Sequence, residues 1–88
     1  MTYPQFQRVK EVKKEYYIAF GENLKALLKK HNKDVATVAA LGNIESKQVY
    51  RVLKGEHGAS LGTIIAIAKG LGVQPKELFD FPFRLDLE

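Results

Sequence analysis

The side chains best suited to do chemistry in this 88-residue chain lie between Asp34 and Gly55, in DVATVAALGNIESKQVYRVLKG. Ile44, Val49, Val52 and Leu53 form one apolar set, and Lys47, Gln48, Tyr50, Arg51 and Lys54 fill the other faces. A short helix with one buried side and an outer side of Lys, Gln and Arg carries the groups that pair with base edges and phosphates. Catalytic chemistry has far less to work with. There is no cysteine, which excludes a thiolate nucleophile, a disulfide framework and a thiolate metal site. His31 and His57 lack companion ligands, so no zinc site is expected. His31 reads as a helix-end residue interacting with the terminal carbonyls. The glycine-containing loop from Gly55 to Gly58 lacks the Gly-Lys-Ser/Thr ending of a phosphate loop and reads as a plain turn. With no acid pair and no Ser/His set at site spacing, the expectation is no enzyme, no cofactor and no metal.

Those polar residues need a scaffold. Val35, Val38, Ala39 and Leu41 give a first short helix an apolar stripe, with Asp34 as its cap. Gly42-Asn43 breaks it, since both residues tolerate positive φ. The second helix ends at Gly55. Two helices at a steep angle across such a turn form a helix-turn-helix unit.

Upstream, Thr2-Tyr3-Pro4-Gln5 has the form of a helix start, with Thr2 as N-cap. Apolar residues then recur at Phe6, Val9, Val12, Tyr16, Tyr17, Phe20, Leu24, Leu27 and Leu28, a helical period. Gly21 costs about 1 kcal/mol within a helix, so the segment reads as one long helix or as two in series with a break near Ala19 to Gly21. Its outer face carries Arg8, Lys10, Lys13 and Lys14, a solvated face that could also reach phosphates. The apolar stripe must be buried, on its own domain or on a second copy.

Downstream, Ser60 caps an apolar helix of Leu61, Ile64, Ile65, Ile67, Ala68 and Leu71, stopped by Gly70 and Gly72 and marked as the core centre. Pro75 opens a short last helix to Phe79. From Phe81 the chain alternates apolar and polar, the period of an extended strand. Phe81, Phe83, Leu85 and Leu87 could pair with a second copy or lie across the chain's own core. Pairing is the reading placed first.

Hydrophobic content of 45% with 27% charged residues is that of one ordered domain. The net charge is +4, spread unevenly. Eight Lys or Arg against three Glu give +5 between Arg8 and Lys33, and one Arg against four acids gives −3 from Glu77 onward. A basic body with an acidic tail suits a polyanion touched by one part of the molecule. No apolar run approaches the roughly 20 residues of a membrane span. A soluble, cytoplasmic, nucleoid-associated protein without membrane contact is expected.

With this order of elements in hand, the chain resembles the lambda-repressor/Cro-like (Xre-type) helix-turn-helix family of bacterial and phage regulators. The resemblance runs from Phe20 to Phe81. It rests on Phe20-Gly21-Glu22-Asn23-Leu24, the two-helix unit, the Lys54-Gly55 stop, Ser60-Leu61, Leu71-Gly72-Val73 and Glu77-Leu78-Phe79. It implies that Val38, Ala39, Leu41, Ile44, Val49 and Val52 are buried and fix the angle between the two helices. It implies a recognition helix from Glu45 to Leu53 in the major groove, with Ser46, Lys47, Gln48 and Arg51 contacting bases. Lys54, His57 and Ser60 match backbone-contacting positions. Tyr50 stands where the family carries a small residue, and reads either as packing against DNA sugar or base methyls or as a partly buried helix-surface side chain. Val35 stands where the family commonly carries Gln, and Glu45 where Ser or Thr usually caps.

The fold expected is all-α: a compact five-helix repressor-like domain over residues 20–81, an amphipathic helical extension over 1–19, and an extended tail over 82–88. The function expected is sequence-specific binding of double-stranded DNA by a transcriptional regulator, a repressor acting as a homodimer on a palindromic operator. Two other readings stand beside it: an antitoxin whose flanks bind a toxin, and a protein-interaction helical bundle without DNA affinity.

Overall fold

The computed structural model describes residues 5–56 and 58–85. Four α-helices and a closing 3-10 turn follow one another: α1 Gln5–Lys30, α2 Val35–Gly42, α3 Ser46–Lys54, α4 Leu61–Leu71 and the turn Pro75–Phe79. The described residues contain no strand. The expected Thr2 cap lies outside them.

The architecture is all-α, but the helix count differs from expectation. The last helix is a 3-10 turn, and the described part of the extension is continuous with α1 through Gly21. Gly21 is no break because its missing side chain has a use. A Cβ there would stand 2.7 Å from the Val52 carbonyl oxygen, so glycine lets the end of α3 lie directly on α1. The true stop comes at Asn32, whose φ of 54° is left-handed and lets the Lys33 amide donate back to Leu28 O at 2.9 Å.

The Asp34 and Ser60 caps form as the sequence implies. Thr37 N donates to Asp34 Oδ1 at 2.8 Å, and Thr63 N donates to Ser60 Oγ at 3.2 Å. Asn43, at φ 58°, and Gly55, at φ 66°, end α2 and α3.

The crossing of α2 and α4 brings the main surprises. Gly42 lies against the Ala66 carbonyl and Gly70 against the Val38 carbonyl, so the two backbones touch one turn apart along antiparallel runs. Gly70 is therefore a packing position inside α4, and Gly72 alone is the stop, at φ 79°. The same crossing decides which apolar residues go inward. Val38, Ala39, Ile67, Ala68 and Leu71 are buried together with Leu24, Leu27, Leu28, Val49, Val52 and Leu78. Leu41, beside Gly42, is turned outward and 52% exposed, so it is not one of the residues fixing the interhelix angle. Leu61 and Ile65 are also exposed, on the side of α4 facing away from Ile67 and Leu71. Only part of the α4 stripe makes core.

The amphipathic stripe of α1 finds its partner within the chain. Tyr16 meets the rings of Phe81 and Phe83 at centroid distances of 5.0 and 4.8 Å. Phe20 meets Phe79 at 5.0 Å and Phe81 at 6.3 Å. Val12, on the same stripe, is buried. Phe81 and Phe83 thus lie across their own core, the second of the two arrangements the alternation allows. Leu85 is 67% exposed, and Leu87 lies outside the described residues.

Two side chains tie distant elements by their backbones. Asn23 Nδ2 donates to Glu77 O at 3.0 Å and Leu78 O at 2.9 Å, which holds the 3-10 turn on α1. Lys33 Nζ donates to Gly70 O and Leu71 O, both at 3.0 Å, satisfying the open carbonyls at the end of α4. His31 does less than its position suggested: its Nε2 is buried without a hydrogen-bond partner among the described residues.

Candidate nucleic-acid interface

The outer face of α3 follows from what its inner face must do. Val49 and Val52 are buried, and Gly55 closes against the Ile18 backbone. At 100° per residue this turns Lys47, Arg51 and Lys54 outward along one line, flanked by Gln48 and Tyr50. All five are exposed. Ser46 is half-buried and sits toward the inner side, the least presented of the four expected base-contacting residues. Tyr50 is 50% exposed, enough for its ring to meet a ligand while part of it stays on the protein.

Glu45 occupies the cap position of α3 in extended backbone and makes no side-chain cap hydrogen bond. Its backbone carbonyl accepts from Gln48 N at 3.0 Å. A carboxylate there favours the positive end of the helix, yet it stands exposed beside the Lys47 end of the outer face. It gives that end one negative charge among the cations.

The turn after α3 brings a second element to the same side. Gln48 and Arg51 share a cleft of about 120 Å³ with Val52, Gly58, Ala59, Ser60 and Thr63. The first turn of α4 therefore opens beside the outer face of α3. Ser60 Oγ and Thr63 Oγ1 lie 3.1 Å apart, so the cleft pairs a guanidinium, an amide, two hydroxyls and a helix N-terminus. That set suits an anionic oxygen. Thr63 was not singled out from sequence. Its signal was present: it stands three residues after a Ser cap, the capping-box position.

Other expected residues stand as follows. Lys54 is exposed in the last turn of α3, and Ser60 is exposed at the cleft. His57 lies outside the described residues. The Asp34 carboxyl is held below its ordinary value, first by the Thr37 amide and then by the Thr37 side chain. Among the described residues no group of three His, Cys, Asp or Glu could hold a metal, and no helix is long and apolar enough to cross a membrane.

Residues 23–84 match the family model of the Cro/C1-type HTH DNA-binding domain. Among solved structures, the chain is similar to the restriction-modification controller protein C.AhdI from Aeromonas hydrophila, at 29% identity and a TM-score of 0.69. That match covers 74% of this chain and 98% of the controller. Among curated proteins none matches. The order of α1 to α4, the polar outer face of α3 and the matched span agree: the chain belongs to the Cro/C1-type helix-turn-helix DNA-binding family and is a DNA-binding transcriptional regulator.

Proposed function

We propose that the protein is a sequence-specific repressor that binds a palindromic operator as a homodimer, with α3 in the major groove. The observation that carries this reading is the exposed line of Lys47, Arg51 and Lys54, flanked by Gln48, beside the open first turn of α4. Lys47 and Arg51 suit guanine O6 and N7, and Gln48 suits adenine N6 and N7. Ser46 is assigned a base contact at the start of α3. Lys54, Ser60, Tyr50 and His57 are assigned to the sugar-phosphate backbone.

One nine-residue helix reads only half of such a site. A second copy places the two recognition helices about 34 Å apart and creates specificity for a palindrome. With Phe81 and Phe83 engaged within the chain, the exposed apolar residues that support pairing include Leu41 on α2, Leu61 and Ile65, one turn apart on α4, and Leu85 in the tail. Selection of bound sequences from a random duplex pool, with mass measurement of the resulting complex, tests both parts. Recovery of an inverted repeat in a complex with two chains is the expected result. An enriched half-site held by one chain would refute the dimer, and no enrichment would refute sequence specificity.

The likeness to a restriction-modification controller supports a narrower second reading, in which the regulated genes encode a restriction or modification enzyme. Mapping the selected sequence upstream of such genes is its test.

A further inference from the structure

The family model starts at residue 23, so most of the described stretch of α1 before Asn23 is additional to the domain that reads DNA. One side of that stretch is already occupied, since Val12 is buried and Tyr16 and Phe20 hold the aromatic tail. The adjoining side carries Lys10 and Lys14, with Lys13 at the border between the two, and all three are exposed. At helical spacing Lys10 and Lys14 share a face with Tyr17, Ile18 and Gly21, and Lys13 adjoins it one turn before Tyr17.

That shared face can be followed turn by turn against the DNA-reading part. Gly21 lies on the carbonyls of Val52 and Leu53, the Ile18 backbone lies on Gly55, and the Tyr17 hydroxyl lies beside Gly58. Gly58 in turn lines the cleft of Gln48, Arg51, Ser60 and Thr63. Helix α1 therefore passes the C-terminal end of α3, then the loop at the cleft, and continues outward. Lys14, Lys13 and Lys10 follow one to two turns further, about 5 to 11 Å along the axis. None of the three acids of the stretch interrupts the row: Glu11 sits at its margin, and Glu15 and Glu22 lie on another side of the helix.

We propose that Lys10, Lys13 and Lys14 form a phosphate-contacting rail that grips duplex DNA beyond the base pairs read by α3. The inference rests on the DNA-binding reading given above. A row of cations continuous with a polyanion-binding cleft lowers the free energy of the complex by releasing condensed counterions, whatever the base sequence.

The test is fluorescence anisotropy of the full chain with a 40-base-pair random-sequence duplex, titrated over a range of KCl concentrations. The wild type is compared with a Lys10→Gln, Lys13→Gln, Lys14→Gln variant. A second triple variant, Lys25→Gln, Lys29→Gln, Lys30→Gln, removes the same charge from the other end of α1. Circular dichroism and thermal melts confirm that both remain folded. Each lost phosphate contact lowers the slope of log K against log salt by about 0.9. The first variant is therefore expected to lose about 2 to 3 in slope, and the second to stay near wild type. An unchanged slope in the first variant would show a merely solvated face and overturn the proposal. Equal losses in both would show a net-charge effect and overturn it as well. If the wild type bound no duplex at all, the DNA-binding reading itself would fail and the rail with it.

Discussion

Lys47, Arg51 and Lys54 are separated by four and three residues, the steps that return to one side of a helix, and Val49 and Val52 hold the opposite side in the core. Their roles separate by reach. Arg51 shares the cleft with Gln48, whereas Lys54 is in the last turn beside the loop. Arg51→Ala or Gln48→Ala is expected to cost about 1–3 kcal/mol on the best operator and to relax base preference. Lys54→Ala should weaken all sequences alike and lower the salt slope by about 1. Binding titrations on matched and mutated sites check both, and undiminished binding by Arg51→Ala would disprove the recognition face. Asp34 offers a test by pH. The Thr37 amide holds its carboxyl below the ordinary value of 3.8, so the folded state releases that proton more readily than the unfolded one. The resulting stability is present above the unfolded pKa and is lost as pH falls through the folded pKa. Asp34→Asn keeps a capping oxygen but no titration. On acidification the wild-type melting temperature should fall toward, and the variant's should not share, that component of the loss.

The elements are set against each other by glycines and by two side-chain anchors. At the α2–α4 crossing an added methyl would overlap a carbonyl, at Gly42 with Ala66 and at Gly70 with Val38. Alanine gains about 1 kcal/mol in helix propensity, but overpacking typically costs about 1–3 kcal/mol, and here the obstacle is backbone that cannot rotate away. Gly42→Ala and Gly70→Ala should therefore destabilise in denaturant melts. Gly62→Ala is the contrast. Its nearest neighbour is Ser60 Oγ at 3.9 Å, so the substitution should stabilise by about 0.5–1 kcal/mol. Asn23 differs in kind, because its amide satisfies two backbone carbonyls of the closing turn at once. Asn23→Ala is expected to cost about 1–3 kcal/mol, as the loss of two modest hydrogen bonds.

At the scale of the molecule, α1 gives the elongated outline of 47 × 22 × 17 Å. The aromatic tail joins the upper part of that helix to the body. Because Phe81 packs on Tyr16 and Phe20 of its own chain, Phe81→Ala should lower the melting temperature equally at high and low protein concentration. A tail acting between copies would lose its contribution on dilution, so a concentration-dependent effect of this variant would reassign the contact. The alternation from Phe81 onward could not decide this, since one apolar face is required equally by a symmetry mate and by the chain's own stripe. The exposure of Leu41, Leu61 and Ile65 was hidden for a similar reason. Periodicity reports which residues are apolar, not which side of an almost wholly apolar helix meets the core.

What the sequence alone determined is the part governed by contacts of four residues or fewer. The caps at Asp34 and Ser60, the left-handed turns at Asn43, Gly55 and Gly72, and the polar outer face of α3 all belong there. They are settled by backbone hydrogen bonds and by one helical period. The tertiary structure alone decided where backbones touch. A glycine that ends a helix and one that admits a neighbouring carbonyl are the same letter, so Gly21, Gly42 and Gly70 showed their roles only once α3, α4 and α2 lay against them. It also placed Thr63 on one cleft with Arg51, and Tyr17 of α1 beside Gly58 of that cleft. Those relations join residues far apart in the chain, and packing is the physical interaction that sets them.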